Sequence, residues 1–425
     1  MVSATIALLF AIRPVFAEPA FDQLWSWAGP EAARLSIPPA LAPRAAAKDN
    51  LSAGSARESV DPAALKRLLE RAKAEHSDAI VILKDGKVVV EEGFLDQKIY
   101  AMSATKSIAS LAIGCLIEDG RIRSLDQKVS DFVPEWRQGE KQKITIRMLL
   151  NHTSGIGTQG RGASYAVQAP QVFAPGEGFA YNNPAVDLLA LVIREASGMA
   201  AEKYFARRLF EPLGIIDWDW AYRDGLPLTA GELMIRPPDL ARIGQMVLDG
   251  GVWNGKRIIS KAWLDLSAQA SQTFNPTCGL LWWLDTHARS VALTPRLLET
   301  WKRAGVRPEL IDLLRPLVGR TMSVRDYYDA VRDAFRGRPA EWKEVEDILQ
   351  RNRLQGHEIV EFGPVEGFLA RGFLGQFLVI DPARRLVGVR MRNSRPSDYP
   401  TESNPKPEYV DGFDDFPDFV HALTK

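Results

Sequence analysis

The chain has 425 residues, 46% of them hydrophobic, and its 53 basic and 53 acidic side chains give a formal net charge of zero. That length suits about two or three ordinary domains or one large catalytic unit with insertions, and balanced charge without like-charge runs argues against a nucleic-acid partner. Cys115 and Cys278 are the only cysteines and the five histidines are scattered, so neither a disulfide framework nor a zinc site is expected, and no metal or organic cofactor is implied.

Residues 1–17 contain the apolar run Ile6 to Ile12 and end in Val15-Phe16-Ala17 before Glu18-Pro19. The run resembles the core and small-residue cleavage site of a secretory signal, although a basic leader is missing and Arg13 interrupts its far end. It predicts export, to a periplasm or the medium. No later stretch reaches the roughly eighteen apolar residues of a membrane span. Residues 18–60 are rich in Pro, Ala, Gly and Ser and read as an irregular lead-in.

Asp61-Pro62 then has the chemistry of a helix start, a capping carboxylate followed by a proline whose missing N–H costs nothing there, with Leu65, Leu68, Leu69 and Ala72 as the buried stripe. Ala79 to Leu83 and Val88 to Glu92 flank an Asp85-Gly86 turn, which predicts a β-hairpin.

Next comes Ser103-Ala104-Thr105-Lys106, followed by Ile108, Leu111, Ala112, Cys115 and Leu116 at helical spacing and a stop at Asp119-Gly120. Residues three apart share a helix face, so the Ser103 hydroxyl and Lys106 amine become neighbours. Desolvation and the positive end of the helix dipole both favour the neutral amine that a base requires. Serine–lysine pairs are one variant of the activated nucleophile.

Farther on, Ala174 to Asn183 read APGEGFAYNN. Tyr181 can shuttle protons beside a lysine, and Asn183 offers both donor and acceptor to a substrate amide. Asn183-Pro184 is equally a good helix start for the apolar run Val186, Leu189, Ala190 and Ile193. Between residues 287 and 356 the sequence becomes charged and helical, with the apolar sets Leu310, Leu313, Leu314, Leu317 and Trp342, Val345, Ile348, Leu349. This is a helical insertion, packed on the catalytic unit or capping its substrate. Gln376 to Ile380 and Leu386 to Met391 then read as strands. Strands near both chain ends with helices between them predict an α+β fold whose antiparallel sheet is built from both ends, beside a mainly helical central region.

Several segments, taken in order, carry a resemblance to the serine β-lactamase and penicillin-binding-protein superfamily. They are Ser103 to Lys106, Leu149-Leu150-Asn151-His152-Thr153-Ser154-Gly155, the Pro175-to-Asn183 stretch, Asp239 to Gly244, and Gly251 to Lys256. The chain resembles in particular the class C-like branch, which also holds esterases, D-aminopeptidases and nylon-oligomer hydrolases. The resemblance implies a β-lactamase/transpeptidase-like domain over 61–286 and 357–425. It implies Ser103 as nucleophile, Lys106 and Tyr181 sharing general-base and general-acid work, Asn183 touching substrate, and His152 as a structural residue. The third motif of that family, a Lys-Thr-Gly or His-x-Gly on a strand beside the site, aligns with Ala370-Arg371-Gly372. Backbone amides of Ser103 and Phe373 would form the oxyanion hole, Gly372 would admit substrate, and Arg371 is a candidate substrate contact. Neighbouring strand residues face opposite ways, so Arg371 cannot be assumed to replace the missing cation.

Loss of that cation favours a small ester or amide as substrate over a β-lactam. The alternatives are a β-lactamase or D,D-peptidase acting on cell-wall-like substrates, and a binding protein that keeps the fold without turnover.

Overall fold

The computed structural model describes residues 56–286, 288–352, 356–395 and 413–424; residues 1–55, with the expected signal and most of the lead-in, lie outside them. The chain divides into two compact units, one holding Thr286–Pro364 and the other the described residues up to Asp285 and from Val365 onward.

In the larger unit the first helix, α1 (Pro62–Ala74), starts where Asp61 accepts hydrogen bonds from the Ala63 and Ala64 amides. Strands β1 (Ala79–Lys84) and β2 (Lys87–Gly93) form the expected hairpin, and both Asp85 (φ 52°) and Gly86 (φ 74°) take the left-handed backbone that tight hairpin turns require. Helix α2 (Thr105–Glu118) is buried continuously from Thr105 to Leu116. Its residues are apolar or small on nearly every side, the pattern of a helix inside a core. Helices α3 (Asn183–Ser197) and α4 (Pro237–Leu248) follow, then strands β3 (Trp283–Asp285), β4 (Gly367–Gly372), β5 (Gln376–Asp381) and β6 (Leu386–Met391), and helix α5 (Phe416–His421).

The six strands make one sheet in the order β3-β4-β5-β6-β1-β2, every pairing antiparallel. Its centre joins the two ends of the sequence, with Val81 opposite Val389 and Leu83 opposite Val387. Strand alternation sends Val81, Leu83, Leu378, Ile380, Val387 and Val389 to the face covered by α2 and α4. It sends Ile80, Ile82, Leu369, Phe377 and Val379 to the face covered by α1 and α5. Each such side chain, taken fully out of water, contributes about 1.5–3 kcal/mol of transfer free energy. No helix among the described residues is long and apolar enough to cross a membrane.

A buried cluster joins α5 to the sheet edge. His421 donates from Nδ1 to Asp381 and from Nε2 to Asp285, both at 2.7 Å, and the paired carboxylates hold its imidazolium up to about 9 against the cost of burial.

The smaller unit has its own core, in which Leu310, Leu314, Leu317, Val345, Ile348 and Leu349 surround Trp301 and Tyr327. Its helices are accompanied by a three-stranded sheet of Ala288–Ala292, Thr321–Met322 and Glu358–Phe362.

Candidate active site

The residues of interest meet at the N-terminus of α2. Ile99–Tyr100 is a short strand whose next amide, Ala101, donates to Leu233 O; the chain then turns through Met102–Ala104 into the helix. Met102 has φ 50°, a left-handed conformation that costs an unbranched residue about 1–3 kcal/mol and places the next side chain, Ser103, at the head of the helix. Ser103 is half-buried, whereas Lys106, one turn on, is 3% exposed. Lys106 Nζ lies 3.0 Å from Ser103 Oγ and donates to the Ala230 carbonyl at 2.5 Å. The first turn of α2 has neither an acidic residue nor a side-chain cap, so its N-terminal dipole is left to act on the Ser103 region.

Tyr181 stands over this pair, with Lys106 Nζ 4.8 Å from the centre of its ring. The ring is held between Trp283, stacked at 6.2 Å, and His152, tilted at 4.7 Å. His152 also braces the backbone on both sides of the tyrosine: its carbonyl accepts from the Ala180 amide and its Nδ1 from the Asn182 amide at 3.2 Å. That acceptor role requires the proton of the neutral ring on Nε2. Burial, then the nearby Lys106 charge, pushes His152 down to about 3, which keeps it uncharged. The His152 segment is thus a brace for Tyr181, the structural part expected of it.

The helix cap falls to Asn182 rather than Asn183. Asn182 Oδ1 accepts from the Ala185 amide and its Nδ2 donates to Ile156 O. Asn183, the first residue of α3, is 5% exposed, and its Oδ1 has no hydrogen-bond partner among the described residues. A buried acceptor without a donor costs about 1–3 kcal/mol. A substrate N–H would remove that cost.

The far wall is the end of β4, which packs against the Met102–Ala104 turn. A Cβ on Gly372 would fall 2.5 Å from Ala101 O and 3.0 Å from the Ser103 amide nitrogen, so only glycine permits this approach. Phe373, the next residue, opens a turn in which Leu374 (φ 66°) and Gly375 (φ 69°) are both left-handed. The fully buried Arg390 holds that turn by donating to the Leu374 and Gly375 carbonyls, at 3.2 and 2.9 Å.

Ser103, Lys106, Tyr181, Asn183, Gly372 and Phe373 therefore belong to one neighbourhood, and Arg371 does not. Opposite Phe377 in the ladder, Arg371 places its guanidinium 5.5 Å from that ring and 2.7 Å from Asp414 Oδ1, on the α1/α5 face. Ala370, which faces the α2 side, carries no charge to replace the missing cation. The correction to Arg371 as a substrate contact is one of strand parity.

Trp283 and the Ala230 carbonyl had no sequence signal, the first because the Trp282-Trp283 pair matches no motif and the second because a backbone carbonyl has no residue type. Burial pushes the Cys115 thiol up to about 12, which keeps it in the thiol form at neutral pH. No group of three or more His, Cys, Asp or Glu side chains placed to hold a metal ion occurs among the described residues.

A sequence profile of the β-lactamase family matches residues 65–406. The protein Flp of Staphylococcus aureus is 30% identical over 164 residues, covering 32% of this chain and 33% of Flp. The 6-aminohexanoate-dimer hydrolase of Paenarthrobacter ureafaciens is 26% identical over 234 residues, 47% of this chain and 59% of the hydrolase. The chain thus spans between a third and three fifths of these relatives. Among solved structures, a candidate β-lactamase from Bacteroides dorei superposes with a TM-score of 0.58 at 17% identity, covering 86% of this chain and 99% of that one. A penicillin-binding-protein homologue from Caulobacter crescentus gives 0.52 at 17% identity, over 78% and 91%. Both share the fold.

Proposed function

The chain belongs to the β-lactamase family of serine hydrolases, and from that premise we propose that it cleaves a small ester or amide through an acyl-enzyme on Ser103. The observation that carries this reading is the 3.0 Å approach of the buried Lys106 amine to the Ser103 hydroxyl beneath the Tyr181 ring.

In the proposed reaction Ser103 Oγ attacks the substrate carbonyl carbon, and its proton passes to the Lys106–Tyr181 pair. Charge on the carbonyl oxygen is met by the amides of Ser103 and Phe373. Collapse breaks the bond to the leaving alcohol or amine, which takes the proton back from the same pair. Water then attacks the acyl-enzyme, releasing the acid and restoring Ser103.

Two observations favour an ester or a simple amide over a β-lactam. Ala370 provides no cation beside the nucleophile, and Arg371 is engaged with Asp414 on the other face. The relative named for a 6-aminohexanoate dimer supports an amide among the substrates. Export of the protein is part of the proposal and rests on residues 1–17, which lie outside the described structure.

The test is labelling with a fluorophosphonate and a penicillin probe, alongside turnover of short-chain p-nitrophenyl esters and nitrocefin. The expected result is an adduct and ester hydrolysis that both vanish in Ser103→Ala. Brisk nitrocefin turnover without ester cleavage would reverse the substrate preference, and no Ser103-dependent adduct with any probe would make the chain a binding protein.

A further inference from the structure

We propose that Asp187 is a positioning residue for the reaction, acting through a backbone carbonyl to orient the Lys106 amine. The proposal rests on the reading of Ser103 and Lys106 as nucleophile and base.

A neutral amine has two N–H bonds and one lone pair. To take the proton of Ser103, Lys106 must aim the lone pair at Oγ, so its hydrogens need fixed acceptors elsewhere. The Ala230 carbonyl, 2.5 Å away, is one such acceptor. With that hydrogen committed, rotation about the terminal C–N bond is arrested, and the lone pair can be held toward the serine.

The Ala230 carbonyl is fixed by unusually dense bonding for a loop. The Gly231 amide, in the same peptide unit, donates to Leu228 O at 3.2 Å, and the indole of Trp220 donates to both Leu228 O and Gly231 O. Two further bonds tie the loop to α3. Thr229 Oγ1 donates to Val186 O at 2.7 Å, and the Ala230 amide donates to Asp187 Oδ1 at 2.8 Å. Asp187 is 1% exposed; its other oxygen accepts from Arg161 Nε and the Gly162 amide, both at 2.9 Å. Arg161 also pairs with Glu232 at 3.3 Å.

Asp187 lies one helical turn beyond Asn183, so one segment carries Tyr181, Asn183 and the group that fixes the partner of Lys106. A shift of α3 relative to α2 would move all three together. Had burial of an ion pair been the whole purpose, the Arg161 contacts alone would serve it; the bond to Ala230 is the one directed at the site.

Asp187→Ala and Asp187→Asn separate the two roles. Asparagine keeps an oxygen for the Ala230 amide but loses the charge that holds Arg161, so both variants should lower the Tm, while only alanine should release the carbonyl. In p-nitrophenyl ester turnover well below each Tm, Asp187→Ala is expected to lose about 100-fold in acylation rate with KM within about threefold, and Asp187→Asn to stay within about tenfold of the unsubstituted protein. Thr229→Val removes the second tie without changing shape and should cost about tenfold; with Asp187→Asn it carries the test should the alanine variant not fold. An acylation rate in folded Asp187→Ala equal to that of the unsubstituted protein, or an asparagine variant as slow as the alanine one, overturns the proposal alone. Failure of the unsubstituted protein to form a Ser103 adduct overturns the nucleophile reading and this proposal with it.

Discussion

Gly372→Ala tests whether the end of β4 completes the site. The backbone there is extended (φ −137°, ψ 161°), a conformation any residue adopts, so the effect of the added methyl is purely steric. The new Cβ would sit 2.5 Å from Ala101 O and 2.9 Å from Met102 Cβ. Ordinary carbon contacts lie at about 3.5–4.0 Å, so the strand end and the nucleophile turn must separate by about 1 Å. Overpacking of this kind costs about 1–3 kcal/mol of stability. Loss of one aligned oxyanion donor costs about 100- to 1000-fold in kcat, or about 2.7–4 kcal/mol of barrier. Gly388→Ala is the internal control: its Cβ would fall 2.6 Å from Val420 Cγ2 on the other face of the sheet, remote from the serine. Both variants should melt earlier, and only Gly372→Ala should lose ester turnover when kcat is measured below its Tm. A Gly372→Ala kcat within about threefold of the unsubstituted protein would refute the placement of the Phe373 amide in the oxyanion hole.

Arg371→Ala should leave kcat/KM within about twofold and change stability by no more than about 1 kcal/mol, because a half-exposed ion pair is worth little; a tenfold fall in kcat/KM would return the guanidinium to the site. His152→Gln, which can still offer an oxygen to the Asn182 amide, should retain more activity than His152→Phe, and neither should alter the pH–rate limbs between pH 5 and 9, since the ring is uncharged throughout that range; a limb near pH 6.5 that disappears with His152 would contradict this. His421 is held protonated between Asp285 and Asp381, with Arg384 on the far side of Asp381 and Glu366 beyond it. Because its folded value is raised from 6.5 to about 9, the stabilisation is complete below about pH 6.5 and lost as pH climbs through 9, up to about 3 kcal/mol. Denaturant melts at pH 6 and 9 should show that loss, and His421→Ala should flatten the slope; equal slopes would refute it.

What the sequence shows and what it hides divide by physical range. The Ser103–Lys106 approach follows from a three-residue spacing across the turn that leads into α2, and the β1–β2 hairpin from an Asp-Gly between apolar runs; both are local. The facing of Arg371 was undecidable without register, because a shift of one residue exchanges the faces of a strand. Asn182 and Asn183 are equally good caps by residue type; in the fold it is Asn182 that caps, its Nδ2 donating to Ile156 O, a contact 26 residues away in sequence. Asp187 is a lone acid in an apolar helical run, a visible oddity, but its partner Ala230 is 43 residues away and Lys106 lies 124 residues from that carbonyl. Interactions through backbone atoms at such separations leave no trace in composition or spacing.

The pairing of β1 with β6 also sets a clock. Ser103 and Lys106 can come together once their helix has left the ribosome, whereas Gly372 and Phe373 emerge about 270 residues later, at synthesis rates of about 5–20 residues per second a delay of roughly 15–50 s. Through that interval β1 and β2 await the strand that covers their inner edge, and the serine has no second amide opposite it. On the proposed reading, a nascent or prematurely ended chain holds the serine without the second oxyanion donor, and competence for the proposed chemistry arrives only with the last strands.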